Sequence, residues 1–198
     1  MHSRPRTRAA VKLLDQAMAE KLGGQVQMKQ FHVATAAEAI AAAQFARCGW
    51  DVSVQYGANQ PEYDLVAANA DAILKVSVKG SQDGSWGLTQ SYMEPKLADY
   101  RGAADRWYAK HSKRTVFCFV QFKDTGIHEM PRLYLASPLE VATWLKAAAN
   151  GRGDTVLKER HTWAKRAHAS GMTESIPDSW KFTGARISEL ATTVPGLG

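Results

Sequence analysis

The spacing of apolar residues predicts helices and strands in a mixed order. Helical spacing is found in residues 9–22, and again in a run to Arg47 in which Thr35 is the expected N-cap and Glu38 lies three residues later. Short stretches of alternating apolar and polar residues follow at 51–56, 62–67 and 72–79. Residues 68–71 supply turn chemistry, so the last two stretches predict an antiparallel hairpin.

The second half of the chain continues this mixture. A loop rich in Gly and Ser (80–87) precedes a predicted helix at 95–111 and a buried strand at 115–122. A strand at 132–136 then leads into a helix that begins at Pro138 and closes at 151–153. The last quarter predicts a short strand at 156–157, a short helix at 163–169 and a helix ending near Leu190. We therefore expect an α/β fold with extra C-terminal helices.

Composition narrows the class of protein. The 198 residues suit one domain, and 45% hydrophobic with 22% charged residues is an ordinary globular balance. The longest apolar runs are too short to cross a bilayer, so we expect a soluble, cytoplasmic protein without membrane contact. Two cysteines permit neither a disulfide framework nor a zinc cluster. The net charge of +6 favours a polyanionic partner, although basic side chains also simply solvate protein surfaces.

Three polar residues lie at matching ends of neighbouring elements, namely the predicted helix and the two strands of the hairpin. Glu38 lies on the helix, Asp64 on the second predicted strand and Lys79 at the end of the third. Because side chains alternate faces along a strand, Lys79 shares a face with Lys75 and Ser77. By the same rule Glu62 would point the same way as Asp64. Taken singly, such residues most often cap a helix, lie in a turn or protect an edge strand. The evidence for a site is therefore their order along the chain and their shared strand faces.

These residues lie in a pattern with a family resemblance. The segments Ala37-Glu38-Ala39, Pro61-Glu62-Tyr63-Asp64-Leu65 and Ser77-Val78-Lys79-Gly80 resemble the core of PD-(D/E)XK nucleases over residues 34–123. The resemblance implies a restriction-endonuclease-like core, with a central mixed β-sheet flanked by helices. Residues 1–8 would be a basic tail, 124–190 a C-terminal extension and 191–198 a loose tail, all within a single domain, 1–198.

The resemblance also implies roles for these side chains. Asp64 would hold Mg²⁺ or Mn²⁺, Glu38 would support the same metal, and Lys79 would orient the attacking water and offset negative charge. The family has an acidic residue two positions before the lysine, where this chain has Ser77, so the candidate catalytic residues are Glu38, Asp64, Lys79 and Ser77. Either Glu62 or Glu38 supplies the missing oxygen, or the site binds nucleic acid without cutting it.

Polar residues around this pattern are candidates for substrate contacts. Lys and Arg side chains would position phosphates, and an aromatic ring could stack on an unpaired base, although a core or lid role for Trp86 is the commoner one. The residues predicted to bind nucleic acid are Lys75, Gln82, Trp86, Lys96, Arg101 and Arg106.

The expected function is metal-dependent hydrolysis of phosphodiester bonds in DNA, that is, an endonuclease of defence, repair or a mobile element. The alternative is a catalytically inactive relative that binds nucleic acid or serves in assembly. RNA stays open as a substrate, and so does a homodimer, since no sequence feature identifies an interface.

Overall fold

The structure is a computed structural model that describes residues 27–55, 62–94, 98–164 and 168–193. The predicted basic tail at 1–8, the predicted helix at 9–22 and residues 194–198 lie outside the described residues. So does Lys96, one of the predicted nucleic-acid contacts.

The first described helix, α1, begins earlier than predicted. It spans Gln30–Arg47 with Lys29 at its N-cap, so the predicted capping box at Thr35 is wrong. The Thr35 hydroxyl instead donates to the Phe31 carbonyl four residues back, 3.0 Å away, as a hydroxyl inside a helix does. The helix begins before Thr35 because its buried residues start earlier than the prediction assumed. These buried residues are four positions apart: Val33, Ala37, Ala41 and Phe45.

The described residues contain nine strands, β1 to β9. In chain order they are Asp51–Val54, Leu65–Ala68, Ile73–Ser81, Ser85–Gly87, Thr115–Gln121, Arg132–Ala136, Val156–Lys158, Arg160–Thr162 and Thr173–Ser175. Five of them form a mixed sheet in the order β1-β2-β3-β5-β6. All neighbours in this sheet are antiparallel except β3 and β5. The hairpin predicted between β2 and β3 is confirmed, and the Asn69 side chain closes its turn by accepting the backbone N–H groups of Asp71 and Ala72.

Helices cover both faces of this sheet. Three helices follow α1 in the described residues: α2, α3 and α4, which span Tyr100–Lys110, Pro138–Gly151 and Gly184–Thr193. Helices α1 and α4 contribute to the core on the β3 face that carries Leu74, Val76 and Val78. Helices α2 and α3 pack on the opposite face, against Phe117 and Phe119 of β5. The predicted α/β class is confirmed, with a central mixed sheet flanked by helices.

Local patterns were misleading in three other places. The segment predicted as a loop at 80–87 contains the end of β3 and strand β4, which pairs with the distant β7. The helix predicted at 163–169 is not found at its described residues, 163–164 and 168–169, while residues 165–167 lie outside the described residues. Trp163 directly follows strand β8, which pairs with β9. Its indole N–H donates to Glu174, 2.6 Å away, a tertiary contact that overrides local helix propensity. The tail predicted from 191 begins inside α4.

In the described ranges no helix combines the length and apolarity needed to cross a bilayer.

Candidate active site

Asp64 directly precedes β2, at the point where the chain separates from β3. The Val78 N–H, which would otherwise pair with a neighbouring strand, donates to Asp64 Oδ2 at 2.6 Å. The Asp64 N–H in turn donates to the Val76 carbonyl at 2.8 Å. A carboxylate thus replaces a backbone carbonyl at the end of the β2–β3 ladder, and these bonds hold Asp64 beside the part of β3 that carries Lys79.

Glu38 reaches the same region because α1 packs very closely on β3. A Cβ atom at Gly80 would lie 2.8 Å from the Val33 carbonyl and 2.9 Å from the Ala37 Cβ. Only glycine allows this approach of helix to strand. Glu38 follows Ala37 directly and is half-buried at this contact.

Lys79 is held through its backbone as well as by the sheet. The Trp86 indole N–H donates to the Lys79 carbonyl oxygen at 2.8 Å. Trp86 itself is 3% exposed and packs against Phe119 and Tyr134, so it is a rigid donor. This bond therefore fixes the backbone of β3 at Lys79.

Glu38, Asp64 and Lys79 line one cavity of about 360 Å³. The three residues come from a helix, the start of one strand and the end of another. Val78 and Gly80 of β3 also line the cavity, as do Trp86, Gly87 and Leu88 from β4 and the residue after it. Two carboxylates and one ammonium group therefore meet in a space that is open to a ligand.

The charges in this cavity influence one another. Burial raises the pKa of Glu38 above its ordinary value, and the negative charge of Asp64 raises it further. The positive charge of Lys79 acts in the opposite direction. Glu38 is thus less acidic than a surface glutamate, and a cation placed between the two carboxylates would relieve their repulsion.

Ser77, predicted as a catalytic residue, lies behind the cavity. It is 2% exposed, and its hydroxyl donates to Asp64 Oδ2 over 3.5 Å. It is absent from the residues that line the cavity. Ser77 therefore supports the orientation of Asp64 and contributes neither a charge nor an exposed oxygen.

Glu62 does not share a strand face with Asp64. Strand β2 begins at Leu65, so the alternation predicted from residue 62 does not apply. The chain at 62–63 instead crosses towards the turn between α2 and β5, where Glu62 Oε1 accepts the Ser112 N–H at 2.7 Å. The carboxylate is turned away from the cavity, which corrects the basis on which Glu62 was predicted as a metal ligand.

Gln82 and Trp86, two of the predicted nucleic-acid contacts, are engaged inside the protein. Gln82 bonds the backbone of Met28 at both its N–H and its carbonyl, at 3.0 and 2.7 Å. Trp86 lies in the core, so its ring is closed to base stacking, and the core role is the correct one. Lys75 lies on the same strand face as Lys79, with its ammonium 5.0 Å from the centre of the Tyr63 ring.

The two arginines predicted as contacts on α2 differ from each other. Arg106 is paired with Glu94 and Asp99 and also donates to the Tyr92 carbonyl, so it ties the preceding segment to the helix. Arg101 is exposed, and its Nε donates to the Lys146 carbonyl on α3 at 3.4 Å. Only Arg101 keeps an exposed charge.

Gln30 and Ser85 also line the cavity, although the sequence analysis did not select them. Gln30, Ala34 and Glu38 follow one another at four-residue spacing, which places them on one face of a helix. That signal was present in the sequence, but the helix was predicted to begin only at Thr35. Ser85 had no such signal, since its position depends on the pairing of β4 with β7.

The cavity offers two carboxylates as metal donors. In the described part of the chain, His, Cys, Asp and Glu form no cluster of three or more that could hold a metal ion. Mg²⁺ does not require an all-protein cage, because one or two carboxylates, waters and substrate phosphates satisfy it. The residues present fit such an ion and do not fit a closed structural site.

Comparisons with known proteins give a weak likeness to a solved structure. No protein-family model and no curated protein matches the chain. Among solved structures, it is similar to a Holliday junction resolvase from Archaeoglobus fulgidus, an archaeal hyperthermophile, with 12% identity and a TM-score of 0.34. The match covers 63% of this chain and 88% of the resolvase chain.

Proposed function

We propose that this chain is a metal-dependent endonuclease that hydrolyses phosphodiester bonds in DNA, as a member of the PD-(D/E)XK superfamily. The observation that carries the proposal is the meeting of Glu38, Asp64 and Lys79 in one cavity. These residues are separated by 26 and 15 positions along the chain, so their meeting is a property of the fold. Carboxylates beside a lysine are the groups that phosphoryl transfer needs.

Each side chain has a role that its surroundings support. Asp64 and Glu38 would hold Mg²⁺ or Mn²⁺, with Asp64 fixed by the Val78 N–H. When bound, the ion would polarise a phosphoryl oxygen and lower the pKa of water. The Lys79 ammonium would offset the negative charge that develops on the phosphate. Ser77 would take no direct part, since it is buried behind Asp64.

The second candidate function is a catalytically inactive protein that binds nucleic acid. It is favoured by the neutral Ser77 at the position of the motif's second acid and by the limited donor set in the cavity. Such a protein would keep a basic surface and bind DNA while leaving its backbone intact.

Nicking of supercoiled plasmid separates the two functions. We expect wild-type protein with Mn²⁺ to convert the supercoiled form to nicked circles, and Asp64→Ala or Lys79→Ala to lower the rate by at least about 100-fold. Matched controls are Asp71→Ala, in the exposed turn at the far end of the hairpin, and Lys181→Ala, on an exposed side chain. Both controls should nick like the wild type.

The other outcomes are equally informative. Plasmid that is shifted on a gel but never nicked would support the inactive DNA-binding protein. Nicking that survives both cavity variants would place the chemistry elsewhere or reveal a contaminant. If neither nicking nor a shift occurs with DNA, and a labelled RNA gives the same result, both candidate functions are wrong.

A further inference from the structure

Four cations form a second feature of the molecule beside the candidate active site. They are Lys110 at the end of α2, Lys113 and Arg114 in the turn that follows, and Lys75 on β3. We call these four residues the 110–114 basic surface. Lys75 pairs in register with Thr115, the residue directly after Arg114, so all four lie around the start of β5.

The surface is connected to the candidate active site through residues 62–64. Tyr63 lies next to Asp64 and covers the Lys75 ammonium at 5.0 Å. Glu62 then accepts the Ser112 N–H at 2.7 Å and thereby fixes the turn that carries Lys113 and Arg114. The segment 62–64, which places Asp64 in the cavity, therefore also holds the basic surface. The position of the basic surface relative to the cavity is fixed in this way.

These cations lack ion pairs, whereas comparable cations elsewhere have them. In the ranges the structure describes, Lys75, Lys110, Lys113 and Arg114 form no ion pair with a carboxylate. Lys146 and Lys181, by contrast, are paired with Asp105 and Asp178 at 2.8 Å. Among the described residues, the carboxylate that bonds this turn is that of Glu62, so the turn keeps a net positive charge.

We propose that the 110–114 basic surface binds the phosphate backbone of double-stranded DNA beside the scissile position. This inference rests on the proposed function, because it assumes that DNA lies across the cavity. Lys75 is four residues from Lys79 on one strand, which corresponds to about 13 Å. A DNA strand advances about 3.4 Å per nucleotide along its axis, so the surface meets phosphates about four nucleotides from the cut. Contacts of this kind position the duplex and read no sequence.

Salt dependence of DNA binding tests the proposal. A fluorescently labelled 30-base-pair duplex is titrated with the full chain, without divalent ions, between 50 and 200 mM salt. The double variant Lys113→Gln/Arg114→Gln removes two cations that are exposed and outside the helix. If each contacts one phosphate, the slope of log affinity against log salt falls by about 1.8 in magnitude, at about 0.9 per contact.

The matched control is Lys146→Gln/Lys181→Gln, which changes the net charge equally but removes paired cations. We expect its slope to stay within error of the wild type. An equal fall in both variants would show that only net charge matters, and no fall in the first variant would show that the surface does not contact DNA. Either result overturns the proposal.

A third variant probes the anchor of the turn without removing a cation. Glu62→Gln keeps an oxygen that can accept the Ser112 N–H but deletes the negative charge. Tighter DNA binding at 50 mM salt is expected, and unchanged or weaker binding contradicts the placement of DNA beside Glu62. Plasmid nicking is measured on the same samples. Normal nicking with an unchanged salt slope refutes this inference alone, whereas a wild-type protein that neither nicks nor binds DNA refutes the proposed function as well.

Discussion

Asp64 is held by its neighbours more tightly than the other residues of the candidate site. Its Oδ2 atom accepts the Val78 N–H and the Ser77 hydroxyl, both from β3. These bonds fix the carboxylate in position, while burial and the negative charge of Asp64 raise the pKa of the nearby Glu38. The two carboxylates thus differ: hydrogen-bond donors hold Asp64 in position, whereas the negative charge of Asp64 repels the carboxylate of Glu38.

This coupling gives a prediction that does not depend on catalysis. Asp64→Asn removes the negative charge that raises the pKa of Glu38, so that pKa should fall. Lys79→Met removes the positive charge that lowers it, so the pKa of Glu38 should rise. Carbon-13 NMR titration of the Glu38 carboxyl in the metal-free protein measures both shifts. Asp71→Asn is the control and should leave the titration unchanged, since Asp71 is an exposed turn residue. Equal titrations in all four proteins would mean that the three groups do not share a site.

The sign of the Glu38 shift also fixes its effect on stability. Its pKa is higher in the folded than in the unfolded protein, so folding favours the protonated form. The stabilisation from this group is complete below the unfolded pKa and is lost as the pH rises through the folded pKa. Glu38 therefore lowers the stability of the metal-free protein as the pH rises towards neutral.

At the scale of elements, the contact between α1 and β3 sets the geometry of the cavity. The helix carries Glu38, the strand carries Lys79, and Gly80 is the point at which they touch. Trp86 of β4 fixes the same strand end by its bond to the Lys79 carbonyl. A small change in this contact should therefore affect both stability and the charges of the site.

Gly80→Ala tests this contact. The added Cβ would lie 2.8 Å from the Val33 carbonyl and 2.9 Å from Ala37, so α1 must move away. Overpacking of this kind costs about 1–3 kcal/mol of unfolding free energy, measured by urea denaturation. Because Glu38 moves with the helix, its pKa should also fall towards the ordinary value.

Gly184→Ala is the matched control for that change. No atom lies within 4 Å of its added Cβ, and the residue begins α4, where alanine favours the helix. Unfolding free energy should be unchanged or slightly higher. If Gly80→Ala is as harmless as Gly184→Ala, the helix does not rest on β3 as described.

At the scale of the whole molecule, the sheet sets the distance between the cavity and the basic surface. The parallel pairing of β3 with β5 places the 110–114 basic surface about 13 Å from Lys79. Helices α1 and α2 lie on opposite faces of the sheet, and the cavity lies at the end of its central strand, β3, where α1 and β4 line it. Cation binding there should stabilise the folded chain as a unit.

Divalent ions should raise the melting temperature. A ligand that binds only the folded state at 100 times its dissociation constant adds about 2.7 kcal/mol. For a chain of this size that corresponds to about 5–11 °C. Differential scanning fluorimetry with Mn²⁺ should show the shift in the wild type and in Asp71→Asn, and EDTA should reverse it. The shift should vanish in Asp64→Asn, and one that persists there would exclude Asp64 as a ligand.

The order of helix, hairpin, helix and strand was predictable from sequence because it rests on local periodicity. The strands at 115–122 and 132–136, the β2–β3 turn and the helix beginning at Pro138 agree with the structure to within about one residue. The same alternation placed Lys75, Ser77 and Lys79 on one face of β3. Glu38, Asp64 and Lys79 could be selected as candidates for the same reason, since their order along these elements is visible in the chain.

Only the tertiary structure decided what surrounds those three residues. Glu62 turns away because it bonds Ser112, fifty positions along the chain, and β4 exists because it pairs with β7. The burial of Ser77 and Trp86, the cavity and the missing ion pairs of the basic surface likewise depend on long-range packing. Local periodicity carries no information about partners so far apart in sequence, and side-chain contacts between distant elements determine where a charge points.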